Sequence, residues 1–137
     1  MGDRVSDKLT LPAQLERIDD ARRWSSSWAR EAAVDEDTIQ DLELAMTEAL
    51  SNTIRHGYGE DPAQSIELWL DIDGHRIALT ILDRGQPYDA SQRPPIDFDA
   101  GQEGGYGLYL MEQLTDELSR TPREDGGTLV TLVKYRK

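Results

Sequence analysis

The sequence predicts an α+β fold, a two-layer sandwich in which helices cover one face of a mixed, mainly antiparallel sheet. Two observations predict it. Apolar residues recur at helical spacing over residues 13–56 and alternate with polar residues from Ser65 onwards, so the hydrophobic period changes from helical to two. The alternating segments also come in pairs joined by turn residues, which is typical of hairpins. Hairpin strands with helices on one side indicate α+β rather than a doubly wound parallel sheet.

The N-terminal part is predicted to begin with a flexible segment and to continue as a helix. Residues 1–9 show no clear pattern, so the folded domain is expected to cover residues 10–137. Thr10-Leu-Pro12 is typical of a helix entry, because proline is tolerated in the first helical turn. Apolar side chains at nearly helical spacing then extend the predicted helix over residues 13–33.

A second helix and two hairpins are predicted to follow. Asp35 is expected to cap a helix that runs to about His56 and ends at Gly57. Asp73-Gly74 separates two alternating segments and is a strong hairpin signal. The predicted elements are the strands 66–72, 76–82, 118–121 and 128–135, a long loop over residues 86–103 and a third helix over residues 108–118.

Composition limits the function before any motif is considered. The chain of 137 residues fits one domain, has no cysteine and carries a net charge of −12. The lack of cysteine excludes disulfides and thiolate metal sites and favours a reducing cytoplasm. The negative charge argues against nonspecific binding to nucleic acid or to anionic membrane. No apolar run approaches the ~20 residues that cross a bilayer, and the first residues carry no signal-type stretch.

Glu48 and Asn52 are candidate functional residues because they lie four residues apart in a predicted helix. That spacing places a carboxylate and a carboxamide one turn apart on one helical face. A carboxylate can take a proton, and an amide oxygen can bind a hard cation such as Mg²⁺. Ala45 and Ala49 are small neighbours that leave room for a ligand. Such pairs also occur on many surface helices, so their meaning depends on the segments that follow.

Two glycine-containing segments follow in a set order. Asp83 ends a predicted strand, where its carboxylate could accept a hydrogen bond from the exocyclic amine of adenine, and Gly85 would let the backbone approach the base. An ordinary strand-end aspartate with a turn glycine gives the same pattern. Gly104-Gly105-Tyr106-Gly107 is suited to bind phosphates before the third helix, or is simply a flexible helix entry. Thr128 could place a hydroxyl beside a base or simply begin a strand.

Two common nucleotide-binding signatures are absent from the sequence. A P-loop needs a lysine beside its glycines, and the lysines of this chain, Lys8, Lys134 and Lys137, lie away from any glycine-rich loop. The His-Arg-Asp and Asp-Phe-Gly signatures of protein kinases are also absent. If the protein binds ATP, it does so by another arrangement.

The segments taken together resemble a known family. The segments from Glu48 to Gly57, Asp83 to Asp89 and Gly104 to Leu108 are similar to the N, G1 and G2 boxes of the GHKL ATPase superfamily, named for gyrase, the heat-shock chaperone, histidine kinases and MutL. Gly127-Thr128 is similar to the final Gly-Thr of that family. The short single-domain form resembles the anti-sigma-factor serine-protein kinases of bacterial partner-switching systems over about residues 10–137.

The resemblance implies a role for each candidate residue. Glu48 would be the general base, and Asn52 would bind a Mg²⁺ ion that bridges the phosphates of ATP. Asp83 would bind adenine, with Gly85 and Thr128 lining its pocket. Gly105 and Gly107 would bind the phosphates at a lid formed by the loop 90–106, and Leu108 is the third G2 residue implied to bind the nucleotide.

One position departs from the family pattern. Some relatives carry an arginine just before the G2 glycines, whereas this chain has Gln102-Glu103. Another cation, Arg93 or Arg55, or Mg²⁺ alone, would then have to meet the γ-phosphate.

The resemblance implies a serine kinase that phosphorylates an anti-anti-sigma (STAS-type) antagonist and sequesters a sigma factor or an analogous regulator. It is compatible with a homodimer and with no direct contact to nucleic acid or membrane. Two alternatives stay open. A non-catalytic ATP-binding module of the same fold would account for the missing arginine. A stand-alone histidine-kinase ATPase domain would need an acceptor histidine, which residues 1–55 lack.

Overall fold

The computed structural model describes residues 4–57, 64–84, 103–124 and 126–137. The helices and strands within these ranges are β1 (Val5–Pro12), a 3-10 turn (Leu15–Arg17), α1 (Ile18–Glu31), α2 (Glu36–Asn52) with a π-helical turn (Thr53–Gly57), β2 (Ser65–Ile72), β3 (Arg76–Leu82), α3 (Glu103–Leu114), β4 (Glu117–Pro122) and β5 (Thr128–Tyr135). None of these helices has the length and apolarity that crossing a bilayer requires. Gly85 and almost all of the predicted loop 86–103 lie outside the described ranges.

The described strands form one five-stranded sheet in the order β1-β2-β3-β5-β4, and all four neighbouring pairs are antiparallel. Both predicted hairpins, β2–β3 and β4–β5, are present, and Asp73 accepts hydrogen bonds from the main-chain N–H groups of His75 and Arg76 in the first turn. The predicted α+β fold class is therefore confirmed.

One face of the sheet forms the hydrophobic core with the helices. In register across three strands, Leu70 pairs with Leu79 and Leu79 with Leu132, and all three side chains are at most 1% exposed. On the opposite face Trp69 and Tyr135 are 44% and 50% exposed. The alternation of buried and exposed residues, with a period of two, therefore fixes which face the helices cover.

The predicted flexible start and helix entry are wrong for residues 5–12, which form strand β1 against β2. The strand pattern is hidden in the sequence because Asp7 occupies a position that faces the helices. Its carboxylate accepts hydrogen bonds from the indole N–H groups of Trp24 and Trp28, each at 2.8 Å from Nε1 to Oδ2. These two donors make a charged residue acceptable on the inner face of an edge strand.

The bounds of the third helix also differ from the prediction. Helix α3 begins at Glu103 and ends at Leu114, whereas residues 108–118 were expected. Glycine lowers helix stability by about 1 kcal/mol per residue without excluding it from a helix, so the glycine run did not mark the start. At the other end, the Asp116 N–H donates to the Val133 carbonyl oxygen at 2.8 Å, which begins the pairing of β4 with β5.

Candidate functional site

Asp83 lies at the end of β3, where the β4–β5 hairpin holds its main chain. The last residue of β3, Leu82, pairs with Leu129. Asp83 is 3% exposed and donates its main-chain N–H to the Thr128 carbonyl oxygen at 3.1 Å. The Nη1 atom of Arg123 donates to the Asp83 carbonyl oxygen at 3.4 Å. A buried aspartate is thus fixed through its backbone at the edge of the core.

Thr128 and Gly127 lie against Asp83, and these three residues form one corner of the sheet. Thr128 is 4% exposed, and its buried Oγ1 has no hydrogen-bond partner within the described part of the chain. A buried polar atom is normally bonded, because leaving one unpaired costs about 1–3 kcal/mol. Gly127 has a φ of +95°, and an added Cβ would lie 2.6 Å from the Arg84 Cα and closer still to the Asp83 carbonyl oxygen. The unpaired hydroxyl next to a buried aspartate fits a ligand with a polar edge, such as adenine.

Helix α2 carries the other two predicted residues and has a well-defined start. The Asp35 carboxylate accepts hydrogen bonds from Oγ1 and N of Thr38, at 2.7 and 3.0 Å. These bonds, that of the hydroxyl first, hold the pKa of Asp35 below its usual value, so the side chain is charged at the positive end of the helix. The N-cap predicted from the sequence is therefore confirmed.

Two ion pairs show that α2 runs antiparallel to β5. Asp37, in the first turn of the helix, pairs with Lys137, with 3.7 Å between Oδ2 and Nζ. Asp41, one turn further on, pairs with Lys134 at 3.0 Å. The start of α2 therefore lies at the end of β5, and the end of α2 points towards the start of β5.

The same geometry brings Glu48 and Asn52 towards the corner formed by Asp83 and Thr128. Along the helix axis, Glu48 and Asn52 lie about 10 and 16 Å beyond Asp41. Along β5, Thr128 lies about 20 Å back from the residue that pairs with Asp41. Glu48 and Asn52 also follow Asp41 at helical spacing, so they share the side of the helix that faces β5. Both are half-buried, and Glu48 and Asn52 each lie one turn beyond a buried alanine, Ala45 and Ala49 respectively.

The structure describes some of the remaining predicted residues fully, some by their backbone only and some not at all. The backbone of Gly105 and Gly107 lies in the N-terminal part of α3, a helix that packs against α2. Leu108 is 4% exposed and belongs to the hydrophobic core. Gly85, Gln102 and Arg93 fall outside the described residues. The structure therefore brings Asp83 and Thr128 into direct contact and directs α2 towards them.

Arg123 is part of this corner although its sequence pattern did not single it out. It follows β4 directly, and its main-chain N–H donates to the Gly127 carbonyl oxygen at 3.0 Å. The signal that could have found it is its place before the predicted turn 124–127, which puts it opposite the start of the next strand. That inference also needs β3 to lie beside β5, which the order of elements along the chain does not reveal.

Comparison with known proteins identifies the family. The model of the family described as "histidine kinase-like ATPase domain" matches residues 11–134. The serine-protein kinase RsbW of Bacillus subtilis is 31% identical over 136 residues, which cover 93% of this chain and 84% of the relative. RsbW of Staphylococcus aureus strain Newman is 30% identical over 139 residues, which cover 95% of this chain and 86% of the relative.

A solved structure agrees in fold. The crystal structure of the RsbU and RsbW domains of Rv1364c from Mycobacterium tuberculosis superposes with a TM-score of 0.71 at 24% sequence identity. The match covers 97% of this chain and 33% of that longer chain.

The chain therefore belongs to the histidine kinase-like ATPase family and, within it, to the serine-protein kinases that include RsbW. Its enzyme class is that of an ATP-dependent protein serine kinase.

Proposed function

We propose that this chain is the kinase of a partner-switching system. It binds ATP with Mg²⁺ in the cytoplasm and transfers the γ-phosphate to a serine of an anti-anti-sigma (STAS-type) antagonist. When that antagonist is phosphorylated, the kinase sequesters a sigma factor or an analogous regulator. The observation that carries the proposal is the buried contact of Asp83 with Thr128, since the antiparallel course of α2 and β5 directs the end of α2 with Glu48 and Asn52 towards it. Relatives named serine-protein kinase RsbW, matched over almost the whole chain, support it.

Asp83 is the residue that selects the base. Its carboxylate accepts a hydrogen bond from the exocyclic amine of adenine and disfavours guanine, which has a carbonyl at that position. Thr128 offers its unpaired Oγ1 to the same edge of the base. Gly85 completes the pocket in this proposal, because the absence of a side chain lets the backbone approach the base.

The phosphates are held by α2 and α3. Asn52 provides an amide oxygen for Mg²⁺, a hard cation that prefers oxygen ligands. Gly105 lies in the first turn of α3, where main-chain N–H groups lack an intrahelical acceptor and the helix dipole favours negative charge. Gly107 binds the phosphates in this proposal by letting them approach the helix closely. Leu108 anchors that end of α3 in the core. The positive charge that meets the γ-phosphate comes from Arg55, exposed just after α2, from Arg93 or from Mg²⁺ alone.

Glu48 acts as the general base in this mechanism. Bound ATP supplies the phosphoryl group, which the antagonist's serine oxygen receives. As the new O–P bond forms, the bond between the γ-phosphorus and the bridging oxygen of ATP breaks, ADP leaves and Glu48 accepts the proton that the serine hydroxyl loses. Glu48 comes within hydrogen-bond reach of that hydroxyl only when the antagonist is docked. A positioned base of this kind contributes about 10²–10⁴-fold to a rate.

The switch follows from the charge of the partners. Phosphorylation adds about −1.5 to −2 charges to the antagonist. The kinase carries a net charge of −12, so repulsion and lost packing separate the product complex and leave the kinase available to the regulator. The proposed working form is a homodimer, and the sheet face that carries Trp69 and Tyr135 is exposed in the single chain.

A labelling assay tests this proposed function. The purified chain, Mg²⁺ and γ-labelled ATP are incubated with a candidate STAS-type antagonist, and the labelled protein is collected on a filter. Label should appear on the antagonist and be absent when its acceptor serine is replaced by alanine. ATP binding without any label on the antagonist would instead favour a non-catalytic module of the same fold. Label on the histidine of a separately added dimerisation helix, and not on the antagonist, would favour a histidine-kinase ATPase domain.

A further inference from the structure

The β4–β5 hairpin bonds to both main-chain polar groups of Asp83. The N–H of Asp83 donates to the Thr128 carbonyl oxygen at 3.1 Å, and its carbonyl oxygen accepts from Arg123 Nη1 at 3.4 Å. Asp83 lies one residue beyond Leu82, the last residue of β3 in register with β5. Its placement therefore involves the hairpin as well as the sheet ladder.

Arg123 is itself held firmly by the turn of that hairpin. Its N–H donates to the Gly127 carbonyl oxygen at 3.0 Å, and its own carbonyl oxygen accepts from the Gly126 N–H at 3.2 Å. Gly126 and Gly127 have φ values of +96° and +95°, a conformation that favours glycine. The side chain of Arg123 is half-buried. A fixed backbone directs the guanidinium towards the end of β3.

Gly127 also lies against the carbonyl oxygen of Asp83 and, having no side chain, leaves room for it. An added Cβ at this residue would collide with the carbonyl oxygen of Asp83. The Asp83 carbonyl is thus confined between the backbone of Gly127 and the guanidinium of Arg123. A small shift of either one moves the Asp83 backbone, and the carboxylate moves with it.

We infer that Arg123 is a positioning residue for base selection. Its hydrogen bond to the Asp83 carbonyl oxygen sets the position from which the Asp83 carboxylate meets the exocyclic amine of adenine. This inference rests on the proposed function, and it adds that the β4–β5 turn tunes the preference for adenine. Arg123 acts through Asp83 and does not touch the reacting atoms.

The test compares two nucleotides that differ at the position of the exocyclic amine, the group that Asp83 is proposed to bind. Inosine triphosphate (ITP) carries a carbonyl where ATP carries the exocyclic amine. Dissociation constants of both are measured with Mg²⁺ for the unmodified chain and for Arg123→Ala. The chain should prefer ATP, and Arg123→Ala should weaken ATP binding about three- to tenfold while leaving ITP binding unchanged, since the variant displaces the Asp83 carboxylate without removing it. Arg123→Lys, which keeps a donor, should recover part of the preference.

Arg136→Ala is the matched control. Arg136 also donates to main-chain carbonyl oxygens, those of Asp73 and Ala32, at 2.7 and 2.8 Å. These bonds lie at the opposite end of β3, so Arg136→Ala should lower stability and leave the ratio of ATP to ITP affinity unchanged.

The outcomes separate the inference from the function on which it rests. If the unmodified chain prefers ATP and Arg123→Ala keeps that preference, or weakens both nucleotides equally, the positioning role is wrong and the proposed function stands. If the unmodified chain binds neither nucleotide, or binds both equally, the adenine contact of Asp83 is wrong and the inference is overturned with it.

Discussion

At the scale of single residues, the site depends on polar groups that are buried at the end of one strand. Asp83 and Thr128 are 3% and 4% exposed, and the main-chain N–H of Asp83 donates to the carbonyl oxygen of Thr128. Polar groups of this kind normally have partners inside the protein. The Thr128 hydroxyl has none among the described residues, so we expect its partner to be a ligand.

Replacing Asp83 by Asn tests the contact with the base. The amide has the same shape, but it lacks the charge that strengthens a hydrogen bond from the adenine amine. The dissociation constant of ATP, measured by calorimetry, should rise by a factor on the order of ten or more. Unchanged affinity would refute the adenine contact.

Replacing Thr128 by Val should move stability and binding in opposite directions. Valine keeps the shape and removes the unpaired hydroxyl, so the free energy of unfolding should stay the same or rise by about 1 kcal/mol. ATP affinity should fall. Thr131→Val, on the opposite face of β5, is the control and should leave ATP affinity unchanged. A loss of stability in Thr128→Val would show that the hydroxyl has a structural partner instead.

At the scale of elements, what the sequence could predict depends on how regular each pattern is. Strands β2, β3 and β5 were predicted closely because their inner residues are almost all apolar and their hairpin turns carry clear signals. Strand β1 was missed because Asp7 interrupts its apolar alternation, and only the structure shows the two indole donors that pair with it. The start of α3 was missed because glycines weaken a helix without preventing it.

The contact between β1 and α1 should depend on pH. The hydrogen bonds to Asp7, that of Trp24 first, hold its pKa below the usual value for aspartate. A lowered pKa means that this stabilisation is complete above about pH 5 and is lost as the pH falls through the lowered pKa. Asp7→Asn should therefore melt at a lower temperature than the unmodified chain at pH 7, and the difference should shrink below about pH 4. A constant difference would show that the charge of Asp7 does not matter.

Arg136 connects elements that are distant in sequence. Its guanidinium donates to the Ala32 carbonyl at the end of α1 and to the Asp73 carbonyl in the β2–β3 turn. Arg136→Ala leaves both carbonyls without this donor, so denaturant unfolding should show a loss of about 1–3 kcal/mol. Arg23→Ala, on the exposed face of α1, should cost less. An equal loss for the two variants would mean that the contacts of Arg136 add nothing specific.

At the scale of the whole molecule, the fold brings together residues that are far apart in the sequence. The order of the motifs predicts a set of candidate site residues, of which Asp83 and Thr128 are in contact in the structure. The order of the motifs does not predict that α2 runs antiparallel to β5. This direction is visible only in the structure, where Asp37 pairs with Lys137 and Asp41 pairs with Lys134. Nor does the order of the motifs predict the role of Arg123, which depends on β3 and β5 being neighbours in the sheet. The sequence thus predicts candidate residues, whereas their arrangement comes from the structure alone.

The central claim is that Glu48 is the general base of a serine kinase while other residues bind the nucleotide. The most direct test measures the effect of one Glu48 variant on phosphoryl transfer and on ATP binding separately. The measurement is a single-turnover transfer of labelled phosphate to the antagonist's serine, combined with the dissociation constant of ATP. Glu48→Ala should slow the transfer by about 10²–10⁴-fold and change ATP affinity little. Asp37→Ala, an exposed carboxylate at the start of the same helix, is the control and should change neither. Unchanged transfer in Glu48→Ala, or equal loss of transfer and binding, would contradict Glu48 as the general base of a serine kinase.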